Sequence, residues 1–157
     1  MDLLTLANII LSNCRYVSNK KLQKLSYYVY AWYLTIFDKE ICSMDFEAWE
    51  HGPVCRRLYN KYRRYGWNDI PAYRGFLLAS DEDICFVKAV LDVYGDYSAD
   101  DLEKMSHDER PWNETRKGLK YNEPSAAKIK KELIKDYYGN EEGTKRLIRE
   151  KFESYVL

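Results

Sequence analysis

One stretch, Lys20–Phe37, constrains the fold more than any other: KKLQKLSYYVYAWYLTIF. Leu22, Leu25, Val29, Trp32 and Ile36 recur at three- and four-residue spacing, which is the stripe of an α-helix. Tyr27, Tyr30 and Leu34 widen that stripe. The first turns keep lysines and a glutamine, and the later turns are apolar nearly all round. A helix of that kind has to be enclosed by other elements, so the pattern predicts a central buried helix with neighbours on every side. Ser18 or Asn19 stands ready to cap it by accepting from its free N–H groups. No charged or metal-binding group interrupts the aromatic stripe, so it reads as core packing rather than a cofactor box.

The flanking segments read as further helices. Leu3, Leu6, Ala7, Ile10 and Cys14 predict a first helix of about three turns. Asp38–Lys39 reads as a turn, and the loose alternation of Ile41, Phe46, Ala48 and Trp49 predicts a short strand or β-hairpin near residues 40–50. Pro53 suits a first helical turn, where its missing N–H has no intrahelical partner, so a helix is expected over 54–65, ended by Gly66. Residues 67–80 hold Pro71, Gly75 and several aromatics and read as a loop. Ser80 with Asp83, and Ser98 with Asp101, have capping-box spacing and open two more helices. Ser106 and Asp108 are expected to cap short helices, and Pro111 to start one. Pro124 is expected to open a helix over 124–138, followed by a last one over 141–156. The expectation is a mainly α, single compact helical domain over residues 1–157.

Charge and cysteine usage narrow the function classes. The chain has no net charge, with 25 basic and 25 acidic residues, which argues against generic nucleic-acid binding. Residues 81–109 carry ten acids and two lysines, whereas Arg56, Arg57, Lys61, Arg63 and Arg64 cluster without an acid. Cys14, Cys42, Cys55 and Cys85 form no C-x-x-C pair, so a zinc ribbon is not expected, and they read as small core residues. The leading apolar stretch lacks the basic flank of a signal peptide, and no run reaches the ~18 apolar residues of a membrane span. A cytoplasmic, reduced protein is the expectation. Fifteen tyrosines suggest half-buried positions or a contact surface.

Chemistry has few places to reside. His51 lies near Asp45, Glu47 and Glu50, but no H-x-x-x-H or H-E-x-x-H spacing exists, and a backbone bond at a tight turn explains it as well. His107 sits in SHDERPW, and a Ser–His–Asp run in sequence is not a catalytic triad. No phosphate-binding glycine loop is present. No cofactor or metal is expected. The segment RRLYNKYRRY places Arg57, Lys61 and Arg64 on one helical face among tyrosines. That face suits nucleic-acid phosphates, a protein interface, or pairing with the acidic 81–109 segment.

Three stretches, KLQKLSYYVYAWYL, FEAWEHGPVCRRLYNKYRRYG and LDVYGDYSADDLEKMSHDERPWNETR, resemble the Panacea domain, the SocA-like or GepA-like family of phage- and mobile-element-associated proteins. The likeness runs over about residues 18–118, with 119–157 as a C-terminal helical extension. Its motif residues here are Lys21, Leu22, Lys24, Leu25, Tyr28 and Trp32 on the long helix. They continue with Ala48, Trp49, Gly52, Pro53 and Val54 at the turn, Tyr59 and Gly66 beyond it, and His107 and Trp112 later. These look like scaffold. The resemblance implies an antitoxin: a non-catalytic protein that neutralises a cognate toxin, usually encoded next door, by direct binding or by delivering it to a host protease. A host-factor target for a phage-borne member and a nucleic-acid regulator using helix 54–65 are the alternatives. Candidate partner-binding residues are Arg57, Lys61, Arg64, Trp67, Tyr73 and Phe76, since loops on a rigid scaffold often carry binding.

Overall fold

Ser18 begins the central helix. Its Oγ accepts from the Lys21 N–H, and α2 (Asn19–Phe37) then runs to Asp38, which closes it in the left-handed conformation at φ 55°. The computed structural model describes all 157 residues. Every α2 residue from Lys21 to Leu34 is buried, as an apolar helix with polar first turns requires. Around it lie α1 (Leu3–Asn13), α3 (Arg56–Tyr62), α4 (Asp81–Tyr94), α5 (Ala99–His107), α6 (Arg110–Thr115), α7 (Lys131–Gly139) and α8 (Glu142–Val156). Helices α4 and α7 flank α2, and α8 packs on α4. Ser80 and Ser98 cap α4 and α5 by accepting from the Asp83 and Asp101 N–H groups. The expected mainly helical architecture is the observed one.

The β element lies later than the alternation suggested. β1 (Glu47–Trp49) pairs antiparallel with β2 (Gly52–Val54), Ala48 facing Pro53. Residues 41–46 are irregular, although Ile41, Cys42, Met44 and Phe46 are buried. Pro53 is therefore a strand residue, and the helix begins at Arg56, not at residue 54. The register explains why proline is tolerated. The Ala48 N–H turns away from β2 and donates to the Ala127 carbonyl at 2.9 Å. Ala48 and Pro53 thus form a pair that exchanges no ladder bond, and the absent N–H costs nothing.

That same pairing corrects the helix expected from Pro124. Glu47 and Lys128 form a β-bridge, and the Ile129 N–H donates to the Phe46 carbonyl at 2.8 Å, so residues 127–129 lie extended along β1 and the helix starts at Lys131. Ser106 is not a cap: it is buried within α5, and its Oγ donates to the Glu103 carbonyl. Asp108 ends α5 through its backbone alone. The C-terminal segment shares the main core, since Ile129, Ile134, Tyr138 and Ile148 belong to one buried cluster with α2. The thiols are free, with Cys42 and Cys55 buried and Cys14 and Cys85 half-buried. No helix is long and apolar enough to cross a membrane.

Candidate functional site

The polar residues at the start of α2 are buried and hold backbone belonging to three other segments. Lys21 Nζ donates to the Gly95 carbonyl at 2.7 Å, just past the end of α4. Gln23 Oε1 accepts from the Cys55 N–H at 3.1 Å, and its Nε2 donates to Asn19 Oδ1. Asn19 Nδ2 donates to the Tyr59 carbonyl on α3. Lys24 Nζ donates to the Pro53 carbonyl at 3.1 Å. A short hairpin and a short helix leave backbone groups unpaired, and buried ones need partners. Burial, with Lys20 nearby, pulls the Lys24 ammonium down to about 7.

The other side of the hairpin is held from α6. Trp112 Nε1 donates to the Trp49 carbonyl at 2.8 Å, and Arg116 Nη1 donates to the Ala48 carbonyl at 2.8 Å. Arg116 is buried, and its Nη2 gathers the carbonyls of Lys120, Tyr121 and Glu123. The His107 ring stacks on Trp112, with centroids 3.8 Å apart. Burial lowers the His107 pKa, and its Nδ1 meets Tyr121 Oη. His107 is thus a packing residue of the hairpin support. His51 is exposed and pairs with carboxylates, Glu103 and Glu50, rather than with backbone. No three His, Cys, Asp or Glu side chains converge to hold a metal ion.

Seven of the fifteen tyrosines are buried, and they build an aromatic core around α2. Tyr28 stacks on Tyr94 with centroids 4.0 Å apart, and Trp32 Nε1 donates to Tyr94 Oη. Tyr28 and Tyr138 both donate to Glu109 Oε1 at 2.8 Å. Burial pushes the Glu109 carboxyl up to about 7.

The exposed residues beyond the hairpin are different in kind. Arg57, Lys61 and Arg64 are exposed and have no carboxylate partner; none of them pairs with the acidic 81–109 segment. Arg56 is committed, bonding Glu47 at 2.8 Å and lying over the Trp49 ring at 5.1 Å. Glu47 is held below the ordinary carboxylate range by Arg56. Trp67, Phe76 and Leu78 are 84%, 82% and 77% exposed. Their loop is nevertheless fixed. The Ile70 N–H donates to the Val17 carbonyl at 2.8 Å, and Ser12 Oγ donates to the Tyr73 carbonyl at 2.9 Å. Tyr73 is half-buried against the core, and its hydroxyl donates to the Phe76 carbonyl. It is placed as an anchor of the loop, while Trp67 and Phe76 project from it.

A cleft of about 660 Å³ opens between the start of α2, the hairpin, α3 and residues 124–126. Lys20, Lys24, Trp49, Tyr59, Arg63 and Trp67 are among its lining residues.

The family model for the antitoxin SocA-like, Panacea domain matches residues 22–113. The chain belongs to the Panacea-domain family. The matched span holds α2 from Leu22 onward, the hairpin, α3 and Trp112, and with them the Gln23–Cys55, Lys24–Pro53 and Trp112–Trp49 bonds, while Asn19, Lys21 and Arg116 lie outside it. Membership in a SocA-like antitoxin family gives a toxin protein as the partner in general terms and points away from catalysis. No curated protein and no solved structure matches this Panacea domain.

Sequence reasoning missed Gln23, Arg116 and Glu109 as organising residues of the Panacea domain. Polar residues inside an apolar-periodic helix, such as Gln23 and Lys24, were the available signal. Leu78 was missed because nothing in a loop's sequence tells an anchored apolar residue from a projecting one.

Proposed function

We propose that this Panacea domain is a non-catalytic antitoxin that neutralises a toxin protein by binding it directly and covering its active region. The binding face in this reading is Trp67, Phe76 and Leu78 on the 67–79 loop, together with Arg57, Lys61 and Arg64. One observation carries it: large apolar side chains stand almost fully exposed on a loop that is pinned to α1 and the α1–α2 connection. Large exposed apolar side chains carried on one loop offer contact area to a protein partner, and a pinned loop loses little freedom on binding. Trp and Arg are also the side chains most often found to dominate binding energy. The test is co-expression with the product of the adjacent gene. Rescue of growth and recovery of a complex, both lost in a Trp67→Ala/Phe76→Ala variant, support the reading. Persistent toxicity with no complex recovered refutes it.

A further inference from the structure

The cleft beside the hairpin shares Trp67 with the proposed partner face, but its charge comes from other residues. Four of its lining side chains are lysine or arginine against one acid, Glu50, which contacts His51 Nε2 at 3.2 Å. Lys20 is satisfied by Asp100 and Glu103, and Arg56 by Glu47. Two cations remain. Arg63 is exposed and has no ion pair. Lys24 is 1% exposed and donates only to the Pro53 carbonyl, although an ammonium carries three N–H donors. No carboxylate lies within ion-pair reach of it. A buried charge without a counter-ion is costly, and an anion placed beside it relieves that cost.

The walls are aromatic. Trp49 is covered by Arg56 on its face and meets Tyr59 edge-on, with centroids 5.1 Å apart. Trp67, at 84% exposure, keeps its ring free. A free indole offers a stacking surface to any flat ring, and lysine binds phosphate as a point charge. The volume lies within the range of small-molecule pockets.

We propose that this cleft binds a small phosphorylated molecule bearing a flat ring, of the mononucleotide class, with its phosphate against Lys24 and Arg63 and its ring on Trp67. The proposal is independent of which toxin the domain meets.

Isothermal titration calorimetry of the full chain with AMP, with ATP, with inorganic phosphate and with a short Asp/Glu peptide tests it. The expected result is saturable binding of AMP or ATP, weakened about tenfold or more by Trp67→Ala and by Arg63→Ala. Both side chains are exposed, so these variants keep the fold and the melting temperature. Lys24→Met should abolish binding, and circular dichroism reports whether that variant stays folded. The proposal is overturned by absence of saturation at millimolar nucleotide. It is also overturned by binding that survives both surface substitutions, or by inorganic phosphate or the acidic peptide binding as tightly as the nucleotides.

Discussion

Gly52 lies against Lys24 so closely that a Cβ on Gly52 would stand 2.5 Å from Lys24 Cε and 3.0 Å from Ser106 Oγ. Gly52 also has φ +107°, a conformation that other residues adopt only under strain. Gly66, at φ +58°, has nothing within 4 Å of the same position. Alanine at residue 52 therefore meets both backbone strain and a steric clash, and alanine at residue 66 meets strain alone. We expect Gly52→Ala to cost about 3 kcal/mol and Gly66→Ala about 1 kcal/mol. Urea denaturation of the two variants checks the order; equal costs would mean that the Lys24 contact yields freely.

Arg116 bonds the Ala48 carbonyl and three carbonyls of the 120–123 turn from a buried position. Arg116→Met keeps the apolar stem and strands those acceptors. A loss of roughly 3 kcal/mol follows from leaving buried hydrogen-bonding groups unpaired. Hydrogen exchange should accelerate first at Ala48 and Ile129, because the turn leads into the segment paired with β1. Protection unchanged at both amides would contradict this.

The helices were legible in the sequence because their signals are local. Ser18, Ser80 and Ser98 each announced a cap, and each caps a helix. The hairpin near residues 40–50 was legible but its exact strands were not, because its register depends on partners far away in sequence. Pro53 is tolerated in β2 only because Ala48 turns its N–H to Ala127, and Pro124 starts no helix because the residues after it pair with β1. Neither proline carries that information in its neighbours. Among the candidate contact residues, Trp67 and Phe76 project into solvent, while Tyr73 is half-buried with its ring against the core. The buried lysines were legible as motif residues but not as supports of distant carbonyls.

Two buried groups set opposite pH dependences. The folded Lys24 pKa, about 7, is below its ordinary 10.5, so the unfolded chain holds the extra proton between those values. Its contribution to stability rises with pH across that window. The folded Glu109 pKa, also about 7, is above its ordinary 4.5, so the folded chain holds the extra proton between pH 4.5 and 7. Its contribution falls as pH rises there. Glu109→Gln should flatten the falling limb alone, because glutamine still accepts from Tyr28 and Tyr138. Denaturation midpoints from pH 4 to 10 read this out, and a Glu109→Gln curve parallel to the parent over pH 4.5–7 would refute it.

Tyr73 and its projecting neighbours should separate stability from recognition. Tyr73→Ala removes a loop anchor and half-buried core contact, and should cost about 2 kcal/mol. Trp67→Ala and Phe76→Ala should each change stability by less than about 0.5 kcal/mol, since these rings contact mainly solvent. Thermal melts of the three variants compare them directly. A large loss for Trp67→Ala would place that ring in the core.

In the proposed function, the Panacea scaffold presents its exposed aromatic and basic residues to a toxin protein. Affinity capture of the adjacent gene product on the purified parent domain and on the folded Trp67→Ala/Phe76→Ala variant tests it most directly. A stable complex with the parent is expected, with capture reduced at least about tenfold for the variant at unchanged melting temperature. Equal capture by both proteins, or no complex with a neighbour whose toxicity the parent domain fails to relieve, would contradict it.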